Sequence, residues 1–299
     1  MKRVLITGAS GFIGRHCLQA LAERGYEVHA VGRRPLPSNA AITWHQADLL
    51  DGAAAVAGSI APTHLLHLAW CAAPVDYLTN PINRQWAAAT VQLAEAFADA
   101  GGERFVGAGS CAEYAPSLTP CAEHSTPLRP TSLYGESKAA AYQRLTALAK
   151  TADFSFAWGR IFFPYGPYQA RERLIPSVIT ALIRRDLVHC SAGNDVRDFI
   201  HVQDAAAALV SLLDSRLNGA CNIGSGLPVT VCDVITLIGR IMDSEDLLRF
   251  DALPQRADEP GFIVAGTRRS HGELGWRPRL SLEEGLAQTV SWWRRSFKG

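Results

Sequence analysis

The chain has 299 residues with 29 basic and 28 acidic side chains, giving a net charge of +1. Its 48% hydrophobic content fills a core and excludes a disordered polymer, and the near-zero charge gives no electrostatic case for nucleic acid or an anionic membrane as partner. No apolar run reaches the roughly 18–20 residues of a membrane helix.

Short apolar runs alternate with helical patterns through the N-terminal half, the rhythm of βαβ units on a parallel sheet. Val4-Leu5-Ile6 reads as the first strand, followed by a helix from Phe12 to Arg24 that Gly25 stops. Strands at Val28–Val31, His64–Leu68 and Phe105–Val106 come next, the last two separated by an Ala-rich helix over 84–100. A helix over 132–150 leads to a strand at Phe154–Trp158. Beyond Pro164-Tyr165-Gly166-Pro167 the rhythm loosens, with helices expected over 175–185, 203–213, 231–241 and 282–295.

Met1-Lys2-Arg3 precedes only three apolar residues, so no signal-peptide core is read and a cytoplasmic location is expected. Cys17, Cys71, Cys111, Cys121, Cys190, Cys221 and Cys232 are an odd, scattered set without a C-x-x-C pair. Reduced thiols follow from that pattern, with neither a disulfide frame nor a zinc site, and no metal is expected.

Thr7-Gly8-Ala9-Ser10-Gly11-Phe12-Ile13-Gly14 sits between the first strand and the first helix. Small residues there let the backbone approach a pyrophosphate, and the helix start offers N–H donors and the positive dipole end. Strand-first, helix-after placement turns a weak glycine triplet into a dinucleotide site. The second strand ends Val31-Gly32-Arg33-Arg34, without the acid that accepts from the ribose 2′-OH of NAD. Arg33, with Arg34, suits a 2′-phosphate, so NADP(H) is the cofactor expected and NAD the alternative. Asp48 and Leu49 are placed to meet the adenine.

Tyr134 and Lys138 form Y-x-x-x-K within a helix, on one face and one turn apart. An ammonium beside a phenol favours the phenolate, which makes the proton transferable near neutral pH. Ser110, ending a strand after Gly107-Ala108-Gly109, adds a hydroxyl for a substrate carbonyl oxygen.

These stretches resemble the extended short-chain dehydrogenase/reductase family, the nucleotide-sugar epimerase, dehydratase and reductase group. The resemblance runs through TGASGFIG at 7–14, HLLHLAW at 64–70, GSCAEY at 109–114, YGESK at 134–138 and RIFFPYGP at 160–167. It continues in RDFIHVQDAA at 197–206, NIGSG at 222–226 and LGWRPRLSLEEGL at 274–286. It implies an α/β fold: a Rossmann-type doubly wound parallel sheet with a smaller C-terminal substrate-binding lobe. Residues 1–165 would form the dinucleotide domain, about 195–215 would return to it, and 166–299 would be mainly the substrate lobe. It further implies a catalytic Ser110, Tyr134 and Lys138, with Leu68, Ala69 and Trp70 beside the cofactor. Cys111, Ala112, Phe163 and Arg173 would lie against the substrate, with Arg197 and Arg256 on its diphosphate.

Two departures narrow the reaction. The family's dehydratases carry Asp-Glu where this chain has Cys111-Ala112, so 4,6-dehydration is not expected, and strand alternation would aim Glu113 elsewhere. Trp86 and Phe163 stand where relatives often have Asn. The pattern is nearest the deoxysugar 4-ketoreductases of the CDP-abequose synthase kind. The expectation is therefore an NADPH-dependent reductase of a nucleotide-linked keto sugar. A nucleotide-sugar 4-epimerase with tightly held NAD is the alternative, and a non-catalytic dinucleotide sensor ranks below both. A homodimer across the 84–100 and 132–150 helices is expected.

Overall fold

A computed structural model describes residues 2–297 apart from 35, 37–40, 72–75 and 255–259. Arg256, expected on the substrate diphosphate, lies outside the described residues. The elements in chain order are β1 (Arg3–Thr7), α1 (Gly14–Glu23), β2 (Glu27–Gly32), β3 (Ile42–Gln46), α2 (Leu49–Ile60), β4 (His64–His67), α3 (Ile82–Asp99) and β5 (Arg104–Ser110). There follow α4 (Leu133–Thr151), β6 (Ser155–Ile161), β7 (Phe163–Tyr165), α5 (Leu174–Ile183), β8 (Val188–His189), β9 (Val196–Arg197) and β10 (Phe199–His201). The chain closes with α6 (Val202–Asp214), β11 (Gly219–Ile223), β12 (Val229–Thr230), α7 (Val231–Ile241), β13 (Leu248–Arg249), β14 (Phe262–Ile263) and α8 (Leu282–Ser296).

Seven strands form one sheet in the order β11-β6-β5-β4-β1-β2-β3, and every pairing in it is parallel. Both faces are covered, so the strands read as unbroken apolar runs rather than alternating ones. Val4, Ile6, Leu66 and Val106 pack under α1 and α6, while Leu5, Leu65, Phe105 and Phe156 pack under α2, α3 and α4. Each such fully buried side chain contributes roughly 1.5–3 kcal/mol. The α/β doubly wound fold is as expected. The chain returns to the large sheet through α6 and β11, as far as Ile223.

Strand order reverses between β1 and β4, which opens a crevice at the carboxyl edge of the sheet. Smaller strand groups β12-β9-β14, β10-β7 and β13-β8 lie beyond it. Helices α5, α7 and α8 share a separate apolar cluster around Ile179, Ile235, Leu286 and Trp293. Capping fixes the helix starts: Thr230 with Asp233 opens α7, and Ser281 with Glu284 opens α8, each as a reciprocal box. Helix α2 escapes the sequence reading because Gly52 and Gly58 interrupt it; Gly52 is non-helical, and Asp48 caps the start.

The β1–β4 junction is pinned by a buried histidine. Thr90 donates to the Trp86 carbonyl (2.8 Å), so His67 must donate from Nε2 to the Thr90 hydroxyl (2.9 Å). Its Nδ1 then accepts from Thr7 (2.8 Å), whose oxygen takes the N–H groups of Leu68 and Ala69. Burial and the Lys138 charge pull His67 down to about 3, so it stays neutral. Because this value lies below that of the unfolded chain (~6.5), its contribution is complete above that pH and is lost on acidification toward 3. At pH 5 this one group should cost about 2 kcal/mol of stability. His201, pulled down to about 4 by burial, adds to the same fall. Melting curves at pH 7.5 and 5 should therefore show His67→Gln losing markedly less Tm between the two than the unaltered chain; an equal loss contradicts the assignment.

Candidate active site

The glycine loop is built for close backbone approach. Gly8 has φ +67°, and a Cβ there would meet the Ala69 nitrogen at 2.8 Å and the Leu68 carbonyl carbon at 2.9 Å. A Cβ on Gly14 would strike the Gly8 carbonyl oxygen, and the Gly11 N–H bonds that same oxygen at 2.9 Å. Ile13 at the start of α1 provides no side-chain cap, and Ser10, Gly11 and Phe12 are not buried. An accessible glycine loop thus meets a helix start without a side-chain cap, an arrangement that fits the pyrophosphate of a dinucleotide.

At the end of β2, Arg33 and Arg34 are exposed. Arg33 comes to 4.0 Å from Asp48, an exposed pairing of little energetic weight. The other Asp48 oxygen accepts from Leu50 N (3.1 Å) as the cap of α2, a task the adenine expectation did not include. Leu49, next to it, is buried in the core. A Cβ on Gly32 would approach the Ser10 hydroxyl at 3.0 Å, so an acidic side chain here would crowd the loop.

Ser110, Tyr134 and Lys138 converge at the carboxyl edge of the sheet, beside this cradle. Ser132 caps α4 through Gly135 N (3.2 Å), and Tyr134 N bonds Leu78 O (3.0 Å). The Tyr134 ring meets Tyr77 and Trp70 edge-on at 5.1 and 6.3 Å. Burial pushes its phenol up, and a hydrogen bond from Ser110 opposes that. Lys138 is buried; Nζ donates to Ala108 O (2.7 Å) and sits 3.7 Å above the Trp70 ring. Burial pulls the ammonium down, while the Glu113 carboxylate raises it. Lys138 Nζ stands 5.9 Å from the Tyr134 ring centre, with its hydrogen bond going to Ala108 O.

Beneath Ser110 lies a pair that the sequence reading missed. Residues 111–113 form a 3-10 turn, not a continued strand, and it folds Glu113 inward until it is fully buried. Its carboxylate accepts from Ser110 N (2.8 Å), Trp158 Nε1 (2.9 Å) and Arg160 Nε (2.7 Å). Arg160, 1% exposed, also donates to Tyr114 Oη (3.0 Å), which in turn bonds Asn222. One signal was available: an arginine inside the apolar strand SFAWGRI needs buried acceptors, of which a carboxylate is the strongest.

Of the residues expected at the substrate, Cys111 and Ala112 flank Ser110, and burial pushes the Cys111 thiol up to about 12. Phe163 packs on Phe199 and under Arg197. Arg173 lies over the Tyr77 ring at 4.4 Å, which brings it near Tyr134. Arg197 is 3% exposed and donates to Pro260 O (2.7 Å), with Asp195 at 3.8 Å. Asp198 accepts from the 225–226 and 265 backbone N–H groups, and Asp204 from the 279–280 backbone. Among the described residues no group of three or more His, Cys, Asp or Glu could hold a metal, and all seven cysteines are free thiols.

Comparison with known proteins places this geometry. UDP-glucose 4-epimerase of Bacillus subtilis is 28% identical over 99% of this chain and 98% of its own. UDP-glucuronic acid decarboxylase 1 of Danio rerio is also 28% identical, over 99% of this chain and 74% of its own. The structure of MoeE5 in complex with UDP-glucuronic acid and NAD superposes with a TM-score of 0.86 at 32% identity, covering 98% and 99% of the two chains. That of the Thermus thermophilus UDP-glucose 4-epimerase with NAD gives 0.87 at 25%, over 98% and 99%. Residues 4–224 match the NAD dependent epimerase/dehydratase family, and the chain is a member of it.

Proposed function

We propose that this chain moves a hydride between a nicotinamide dinucleotide and C4 of a nucleotide-linked sugar. The observation that carries the reading is the meeting of Ser110, Tyr134 and Lys138 beside the glycine cradle. A bound nicotinamide accepts or supplies the hydride. Tyr134 takes the proton of the C4 hydroxyl as hydride departs, and gives one back when hydride returns. Ser110 donates to the oxygen on which charge changes, and Lys138 holds the cofactor ribose. Elimination of water has no acid-base pair here: Cys111 and Ala112 lack the chemistry, and Glu113 is sealed against Arg160.

Two outcomes share that step. The similarities to UDP-glucose 4-epimerases and to NAD complexes support 4-epimerisation of a UDP-sugar with NAD retained, which we place first. Net reduction of a 4-keto sugar by NADPH, the sequence-based expectation, is the second reading, supported by Gly32 and the exposed Arg33. Incubation with deuterated NADH or NADPH and a panel of UDP-sugars and keto sugars separates them. Epimerisation gives a C4-inverted product with no label entering from added cofactor, whereas reduction delivers deuterium stereospecifically. Under either, Tyr134→Phe should lower turnover by roughly 10²–10⁴-fold while dinucleotide binding survives. Near-full activity of that variant refutes the assigned centre.

Cofactor titration decides the second reading directly. If Arg33 meets a 2′-phosphate, NADPH binds roughly ten- to hundredfold tighter than NADH, and Arg33→Ala removes the difference by weakening NADPH. Equal affinities in the unaltered chain leave only the NAD reading.

We infer a homodimer that pairs through the outer face of α3 and α4, where the small side chains Ala87, Ala88 and Ala140 line a groove of about 270 Å³ together with Leu133, Arg84, Glu136, Ser137 and Arg144. Light scattering at micromolar concentration should return twice the chain mass; a monomer excludes this assembly.

A further inference from the structure

Glu113 and Arg160 form an ion pair with 0% and 1% side-chain exposure, directly below the reacting groups. A carboxylate so placed is costly unless every lone pair is used, and here each oxygen has a named donor. One of those donors is the backbone N–H of Ser110 itself. The other half of the same capping box has the Ser110 hydroxyl accepting from Ala112 N at 3.2 Å. With that lone pair taken, the hydroxyl proton is directed to the groups it reaches, the Tyr134 oxygen and the Cys111 thiol.

The second link is electrostatic. Lys138 is set among Tyr134 from its own helix, His67 from β4, Glu113 from the turn, and Arg160 behind Glu113 on β6. Trp70 and Trp158 supply uncharged walls at 3.7 and 5.7 Å. Tyr134 and His67 are neutral, because burial holds one up and the other down. Trp158, whose ring lies 5.7 Å from that ammonium, donates from Nε1 to the Glu113 carboxylate at 2.9 Å, which makes Glu113 the anion set beside Lys138.

We propose that Glu113 is a positioning residue of the reaction centre, aiming the Ser110 hydroxyl and supplying the negative charge against which the Lys138 ammonium is held. Arg160 tempers that charge and keeps it in place. This deepens the proposed function and rests on Lys138 as the cofactor-ribose contact, so the test reads cofactor binding and needs no sugar.

The full chain is titrated with NADH and NADPH by fluorescence between about pH 6 and 10, the range in which a perturbed lysine loses its proton. Glu113→Gln keeps an oxygen for Ser110 N but removes the charge, so affinity should fall away at lower pH than in the unaltered chain. A shift of one pH unit appears as about tenfold weaker binding on the alkaline side, with acid-side binding nearly unchanged. Arg160→Met removes the opposing cation and should shift the loss to higher pH. Opposite shifts support the proposal, since damage to packing would weaken binding at every pH in both variants. Coincident curves, or a uniform loss in both, overturn it. If Glu113→Gln does not fold, the same downward shift is read between Arg160→Met and the double variant, which leaves no unpaired arginine behind. If the unaltered chain binds neither dinucleotide, the proposed function fails and this inference with it. If it binds one but the curves coincide, this inference alone fails.

Discussion

The site depends on β1 and β4 lying side by side as parallel neighbours. Their carboxyl ends must come within hydrogen-bond reach, and Thr7 achieves this by accepting from Leu68 and Ala69 while His67 donates onward to Thr90. Only glycine can then leave the strand at position 8, since a Cβ would enter the Ala69 backbone. The phosphate cradle, the Leu68–Trp70 wall and the reversal of strand order are one structural event. Polar side chains are buried there because the junction is a hydrogen-bond problem that apolar packing cannot solve.

A second constraint follows from placing charge inside the same sheet. Lys138 and Arg160 are both almost fully buried, and the carboxylate between their elements is Glu113. Breaking such a pair costs far more than replacing it whole, so its presence adds little net stability. What it provides is direction: the 3-10 turn after β5 is drawn inward by the carboxylate, and that turn sets Ser110. Continued strand geometry would have carried residues 111 and 113 to one face of the sheet and Ser110 and Ala112 to the other.

Much of this was readable beforehand, for identifiable reasons. The glycine loop, Y-x-x-x-K and Ser110 are local patterns whose chemistry follows from spacing, and the structure brings those residues to one edge. Most of the helices carry caps or amphipathic faces that mark them, whereas α2, though capped by Asp48, is broken by the non-helical Gly52. Contacts across long separations were invisible: Glu113 with Arg160, Trp70 with Lys138, and Arg197 with Pro260 each join distant segments. Asp48 shows the limit from the other side, because a helix cap and a base contact require the same residue at the same place.

The resting electrostatics also constrain how the centre can work. Burial raises the Tyr134 phenol, and the Lys138 ammonium is turned to Ala108 O and the Trp70 face. A phenol in that state holds its proton firmly, which suits donation to a developing alkoxide and opposes removal of a proton from a sugar hydroxyl. For the reverse direction, positive charge must come nearer the phenol. Under the proposed function Lys138 would hold the ribose of a bound dinucleotide, and an oxidised nicotinamide would supply such a charge near Tyr134. On that reading the same side chains would serve as acid with a reduced cofactor and as base with an oxidised one, and the redox state of the cofactor would set the direction of proton transfer.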